Sequence, residues 1–338
     1  MSVSNLKYSN INAKLKGMSA KKLDQNDLYN LIKQVNYKSA VYYLKQELPI
    51  LNDIDENIDR PKLEQELNKL IINDIYKINH LLSKKEQSFL HLFISKYEID
   101  CIIIILKRLT MYSTINENLP NVELWTSRIF NKIDGISTAS NEEEFLKKIE
   151  KSTYSKFIYN YIKQNNDIYN ISISDLELSL DKLYFSNLFK NSKYFGKSVI
   201  NIFGEQIDLL NISWIYRLKK NYKLSSLNIN GLLIPTNYKL KKEEMLNMIN
   251  AINLENFFNI LKTTFYSKII GNNKNFEYNI NLYLYSISKK GFAEAKYNIS
   301  TVIHYLILEE FQKSNIINIL GGLNYNLPKS DIQKKIII

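Results

Sequence analysis

The imidazoles of His80, His91 and His304 and the single thiol of Cys101 are the side chains best suited to hold a metal or attack a carbonyl. Their spacing assembles no site. The histidines lack the HExxH arrangement that sets two imidazoles on one helix face, and one cysteine makes neither an intramolecular disulfide nor a cysteine zinc cluster. Cys101 sits in the apolar run Cys101-Ile102-Ile103-Ile104-Ile105-Leu106, which reads as a buried, inert thiol in a reducing compartment. No GxSxG nucleophile elbow occurs. The stretch Asn191-Ser192-Lys193-Tyr194-Phe195-Gly196-Lys197-Ser198 ends as a phosphate-binding loop does. Asn191 replaces its first glycine, however, and no apolar strand precedes it, so the match reads as chance. Glu142-Glu143-Glu144 and Glu309-Glu310 fall at helix starts or on helix faces, where the helix dipole and water account for them. The sequence thus offers no catalytic, cofactor-binding or metal-binding residue and no small-molecule substrate site.

What remains is architecture. The chain has 338 residues, 45% of them hydrophobic, and only 9 Gly and 5 Pro, which disfavours turn-rich β folds and glycine-loop dinucleotide folds and points to an all-α protein. Neither a signal-peptide stretch nor ~18 uninterrupted apolar residues is present, so the expectation is a cytosolic protein. The net charge of +11 (45 basic minus 34 acidic) is compatible with nucleic acid, an anionic membrane or an acidic protein. Its lysines are spread as pairs from Lys21-Lys22 to Lys334-Lys335 and mixed with acids, the pattern of solvated helix faces. The 24 Tyr and 15 Phe could stack on bases, but Tyr42, Tyr43, Tyr283 and Tyr285 fall at packing spacings and no nucleic-acid module is visible. No nucleic-acid partner is expected; a basic helical scaffold or RNA-binding protein is the alternative reading.

Helical spacing organises the chain. Leu28, Leu31, Ile32 and Val35 follow i, i+3, i+4, i+7, with Asp27 placed to cap the first turn. Ile207, Leu210, Trp214, Ile215 and Leu218 keep the same period, and Asn211 intrudes on their stripe, where it needs a partner. Ser113 to Ser140 and Ser225 to Tyr238 read as connections. They divide the chain into thirds, residues 1–115, 116–235 and 236–338. The thirds align: Asp100, Asp208 and Gln312 correspond at separations of 108 and 104 residues (208 minus 100, 312 minus 208). Ile99, Ile207 and Phe311 then match, as do Ile104, Ile212 and Ile316, and Asn211 matches Asn315. Three similar helical bundles in pseudo-threefold arrangement around a shared opening form the expected fold.

The stretch Glu205-Gln206-Ile207-Asp208-Leu209-Leu210-Asn211-Ile212-Ser213-Trp214-Ile215-Tyr216-Arg217-Leu218-Lys219 resembles the C-type subunit of bacterial and archaeal V/A-type rotary ATPases, whose eukaryotic counterpart is termed d. Tyr8 to Met18 is similar to that family's first helix, Leu180-Asp181-Lys182-Leu183-Tyr184-Phe185 to its central element, Ile234-Pro235 to its last link and Thr301 to Leu320 to its closing helix, so the likeness spans nearly the whole chain. Departures are Ile103 where Asn is usual, Gln312 for the acid and Gly321 opposite Arg217.

The resemblance implies a non-catalytic, funnel-shaped socket on the cytoplasmic side of the membrane. It would join the central stalk subunits (D and F type) to the membrane proteolipid ring, one copy per complex, and link ATP hydrolysis or synthesis to proton or sodium transport. Structural or interface residues are then Asp208, Asn211, Arg217, Asn315 and Asp100, serving either a buried polar network or the lining of a throat. Asp208 and Asn211, three apart on a helix, could bond each other.

Overall fold

The computed structural model describes residues 3–111, 133, 135–221, 226–271 and 276–338. The fold is all-α: fifteen α-helices and no strand occur among the described residues. The chain opens with α1 (Val3–Ser19). Three sets of four helices follow in one order, two short and two long. The first set is α2 (Gln25–Lys33), α3 (Tyr37–Glu47), α4 (Arg60–Asn79) and α5 (Lys84–Met111). The second is α6 (Glu142–Lys148), α7 (Ser155–Gln164), α8 (Ile173–Ser192) and α9 (Lys197–Asn221). Before the third comes α10 (Ser226–Leu232), about two helical turns inside what the sequence suggests is a plain connection. The third set is α11 (Lys242–Asn250), α12 (Leu254–Leu261), α13 (Phe276–Glu294) and α14 (Ser300–Asn324), followed by α15 (Lys329–Gln333). α10 and α15 each begin five residues after a long closing helix (226 minus 221, 329 minus 324). The rest of the first expected connection, Ser113 to 132, lies outside the described residues.

Side-chain caps set the helix starts. Asp24, not Asp27, is the N-cap of α2: its carboxylate accepts the Asp27 N–H at 2.9 Å, and the Asp27 carboxylate accepts the Asp24 N–H at 2.8 Å. This reciprocal box satisfies two amides that the first turn leaves without partners. The helix ends at Lys33, so Leu28, Leu31 and Ile32 are buried while Val35 falls beyond it and is exposed. Asn141 caps α6, and Glu144 accepts the Ser140 N–H at 2.9 Å, so that acid cluster serves a helix start as expected.

By packing, the chain forms two compact units: Met1–Leu81 with Lys193–Ile338, and Leu82–Ser192. Within Leu82–Ser192, α5 packs along α8. The Tyr184 hydroxyl of α8 donates to the Phe93 carbonyl at 2.6 Å, and Ser95 and Tyr154 share a 2.7 Å bond. Cys101 lies in this core, where burial pushes its thiol well above the usual range.

The other unit includes two apolar clusters. One gathers Leu209, Ile212 and Ile215 of α9 with Met248 of α11, Phe257 and Leu261 of α12 and Phe276 of α13. The second gathers Ile316, Ile319 and Leu320 of α14 with Leu31 of α2, Ala40 and Leu44 of α3, Leu63 and Leu67 of α4 and Ile332 of α15. Each such side chain contributes roughly 1.5–3 kcal/mol when fully buried. The long closing helices therefore pack forward: α5 against the second set, α9 against the third, α14 against the first. That is why the compact division falls at 81/82 and 192/193, while the sequence kinship divides the chain near 115 and 235.

Candidate functional site

Glu205, Asp208 and Asn211 lie three residues apart along α9, hence on one helix face, and all three are buried. Opposite them runs the segment from Ile234 to Lys241 that leads into α11. Its backbone is not in a helix and carries N–H groups that need acceptors. Asp208 supplies them. Its carboxylate accepts the backbone N–H of Tyr238 at 3.0 Å, of Lys239 at 2.7 Å and of Leu240 at 2.9 Å, and the Tyr266 hydroxyl at 2.8 Å. Burial raises the Asp208 carboxyl above its ordinary range, and the four hydrogen bonds pull the other way without cancelling it. The expected bond between Asp208 and Asn211 is not made, because each finds better-placed backbone partners.

Asn211 clasps one residue at two points. Its Nδ2 donates to the Ile234 carbonyl at 3.0 Å, and its Oδ1 accepts the Ile234 N–H at 2.9 Å. Asn315 on α14 does the same to Ile337, at 2.7 and 2.8 Å. The clasped residues lie 23 and 22 positions after their asparagines, each just beyond a short helix, α10 or α15. Asn211 and Asn315, aligned by sequence, thus perform one task. In the first set Ile103 replaces the asparagine and is buried; the segment that follows α5 lies outside the described residues.

Glu205 and Glu309 form a second matched pair, three residues before Asp208 and Gln312. Glu205 accepts from Lys239 Nζ at 2.6 Å and from the Tyr283 hydroxyl at 2.8 Å. Lys22 Nζ lies 2.5 Å from Glu309 Oε2 and 2.8 Å from Asp74 Oδ2. The Tyr305 hydroxyl donates to Asp74 at 2.7 Å. Lys239 and Lys22 each stand three residues before the first short helix of a set (242 minus 239, 25 minus 22). Burial works against the Lys22 ammonium, but Glu309 and Asp74 outweigh it and raise its pKa; Lys22 in turn outweighs burial at Asp74 and lowers that carboxyl. Burial keeps Glu309 above the ordinary range. Glu309 is thus no solvated helix-face acid, as the sequence suggests, but half of an ion pair with Lys22 of the connector between α1 and α2.

The remaining sequence candidates lie elsewhere. Arg217 is exposed and pairs with Glu277 at 2.8 Å, apart from the Asp208 cluster. At the matching position of α14, Gly321 faces the guanidinium of Arg60 instead. Asp100 is exposed on α5. Gly204 is required where it stands: a Cβ there would overlap the Tyr238 ring, which lies against α9 and donates its hydroxyl to Asn201. His304 is held neutral, its pKa lowered to about 4 by burial and by Lys296, and no cluster of metal-ligating side chains occurs among the described residues. No helix among them is long and apolar enough to cross a membrane.

The profile of the ATP synthase (C/AC39) subunit family matches residues 11–335. The chain belongs to this family. Its assignment is that of a subunit of a V/A-type ATP synthase. No curated protein matches the chain. The family match covers all three helix sets, and the paired Glu205 and Glu309 clusters fall within it. Sequence reasoning reached Asp208, Asn211 and Asn315 but missed Lys22, Asp74, Glu205, Lys239 and Glu309 as a group. The signal was available for two of them, since the register that equates Asp208 with Gln312 also equates Glu205 with Glu309.

Proposed function

We propose that the chain is the non-catalytic socket of the central rotor. It would join the central stalk subunits to the proteolipid ring, so that ATP hydrolysis or synthesis in the catalytic head is linked to proton or sodium movement. The observation that carries this reading is the cross-bracing of the closing helices. A part that transmits torque must resist sliding of one helix past another, and two-point amide clasps, a four-bond carboxylate and buried ion pairs oppose such sliding. The packing of α9 on α11, α12 and α13 and of α14 on α2, α3 and α4 supports this reading, and a pseudo-threefold arrangement of the bundles belongs to the same proposal. Placement on the cytoplasmic face of the membrane, as one copy per complex, belongs to the same proposal.

Used as bait on solubilised membranes, the chain is expected to recover stalk and proteolipid subunits together. In a reconstituted complex, Asp208→Ala is expected to weaken assembly. Wild-type coupling of hydrolysis to ion pumping by a normally folded Asp208→Ala variant would count against the assignment of Asp208. Recovery of nucleic acid in place of ATPase subunits, with affinity falling steeply as salt rises, would overturn the rotor reading itself.

A further inference from the structure

Val35 and Ile252 are the most exposed large apolar side chains among the described residues, at 86% and 90%. They occupy one position twice, in the connector between the two short helices of the first and third sets. The connectors Gln34-Val35-Asn36 and Ala251-Ile252-Asn253 share a backbone. Gln34 and Ala251 have φ, ψ of −55°, 149° and −55°, 132°; Asn36 and Asn253 have −152°, 178° and −146°, 177°. In both, the asparagine side chain caps the next helix, accepting the N–H of Ser39 or Asn256 at 2.9 Å.

A hydrophobic residue just before an N-cap ordinarily packs on the fourth residue of the helix, here Ala40 or Phe257. Exposure this high means that neither staple forms, so folding of the chain makes no use of these side chains. Scattered exposed apolar residues are normal, but this pair recurs at equivalent places. Each also stands beside a fixed ammonium. Lys329 Nζ donates to the Lys33 carbonyl at 2.5 Å, and Lys219 Nζ to the Ala251 carbonyl at 2.7 Å, each within two residues of the apolar tip. Of the acids close in sequence, Asp331 is paired with Lys334 at 2.8 Å, which leaves Glu255 near one tip. The second set has no such tip: Glu150, Lys151 and Thr153 are exposed in its connector.

We propose that Val35 and Ile252 are twin anchors that enter an anionic phospholipid surface, with Lys329 and Lys219 held at headgroup level. An aliphatic wedge flanked by cations suits the boundary between anionic headgroups and acyl chains, and the net charge of +11 (45 minus 34) draws the chain toward such a surface. The inference stands on the connectors and the two lysines bonded to them and is independent of the rotor reading.

The test is co-sedimentation of the full chain with phosphatidylcholine vesicles, with and without phosphatidylglycerol. Wild type is expected to bind the phosphatidylglycerol vesicles and to release them as salt rises. Val35→Ser with Ile252→Ser is expected to weaken that binding by about tenfold or more, with helicity and melting temperature unchanged, since both side chains are already in water. Lys219→Gln with Lys329→Gln should remove the preference for phosphatidylglycerol, and Ile50→Ser, at an exposed site without this geometry, should change nothing. The proposal fails if wild type ignores phosphatidylglycerol, or if the serine pair binds as tightly as wild type. It also fails if the serine pair binds vesicles normally yet loses self-association or recovery of a protein partner, because the tips would then serve a protein.

Discussion

At matching positions α9 carries Glu205, Asp208 and Asn211, whereas α5 carries Tyr97, Asp100 and Ile103. Both helices close a set and both pack forward onto the next one, yet they hold their neighbours by different means. On α9 the buried carboxylates and amide engage the backbone of the segment from Ile234 to Leu240 and the ammonium of Lys239. On α5, Tyr97 and Ile103 are buried, Asp100 is exposed, and Ala139 stands where Lys239 and Lys22 stand in the other sets. The α5 side is braced from elsewhere: Arg108 donates to the Ser137 and Ala139 carbonyls, and Ser152 to Glu98. One scaffold position therefore holds a glutamate paired with a lysine in two sets and a tyrosine opposite an alanine in the other. What it excludes is half of a network, since a buried charge or amide without its partner costs more than the whole pair returns.

That contrast breaks most directly at Asp208. Asp208→Ala removes a fully buried carboxylate and leaves three backbone N–H groups and a hydroxyl without their acceptor, and should destabilise the protein by about 3–5 kcal/mol in chemical denaturation. Asp208→Asn, which retains an acceptor oxygen, should cost clearly less; equal losses would show that the hydrogen bonds are not the cause. Next come the ion pairs. Lys239→Met alone should cost roughly 2–3 kcal/mol by taking the ammonium from Glu205, whereas Glu205→Leu, Lys239→Met and Tyr283→Phe combined should recover most of that loss. Additive losses across this series would contradict the exchange of polar for apolar packing.

Acid acts on two buried groups, His304 and Asp181, with opposite sign. His304 titrates near 4 in the folded chain against about 6.5 when unfolded, so its contribution is complete above pH 6.5 and is lost as pH falls toward 4, roughly 3 kcal/mol in all. Asp181, in Leu82–Ser192, is raised to about 6 by burial and by Glu177 and Asp100. Its contribution is present below the unfolded value and is lost as pH rises through 6. Site-resolved hydrogen exchange at pH 4.5 and 7 should therefore show the turns of α13 and α14 around His304 loosening on acidification, and His304→Gln should remove that change. The α8 region should tighten, and Asp181→Asn should abolish that tightening. The smallest effect belongs to Arg217→Ala, whose exposed pair with Glu277 should be worth under about 1 kcal/mol; a larger loss would bring Arg217 into the network after all.

Much of this is legible in the residues. Helical spacing and the scarcity of Gly and Pro point to the fold class, and the misplaced polarity of Asn211 on an apolar stripe announces a specific partner. The partner's identity is not legible, because Ile234 and Tyr238 act through backbone groups that carry no side-chain signal. Glu309 misleads for a related reason: an acid on a helix is solvated by default, and only Lys22, 287 positions away, reverses that. The start of α2 reads three residues late because Asp24 and Asp27 are both competent caps, and that offset carries Val35 into a stripe it does not join.

Forward packing also bears on how such a chain can be cut or copied. A fragment taken at the limits of one sequence copy would carry a closing helix whose apolar stripe has lost its mate, and would lack the helix that ought to cover its own first three. Leu82–Ser192, severed ahead of one closing helix and ahead of the next, keeps its cover and is the piece to express alone. By the same logic, tandem duplication of an ancestral segment would have yielded copies with mutually adhesive ends, predisposed to join one another.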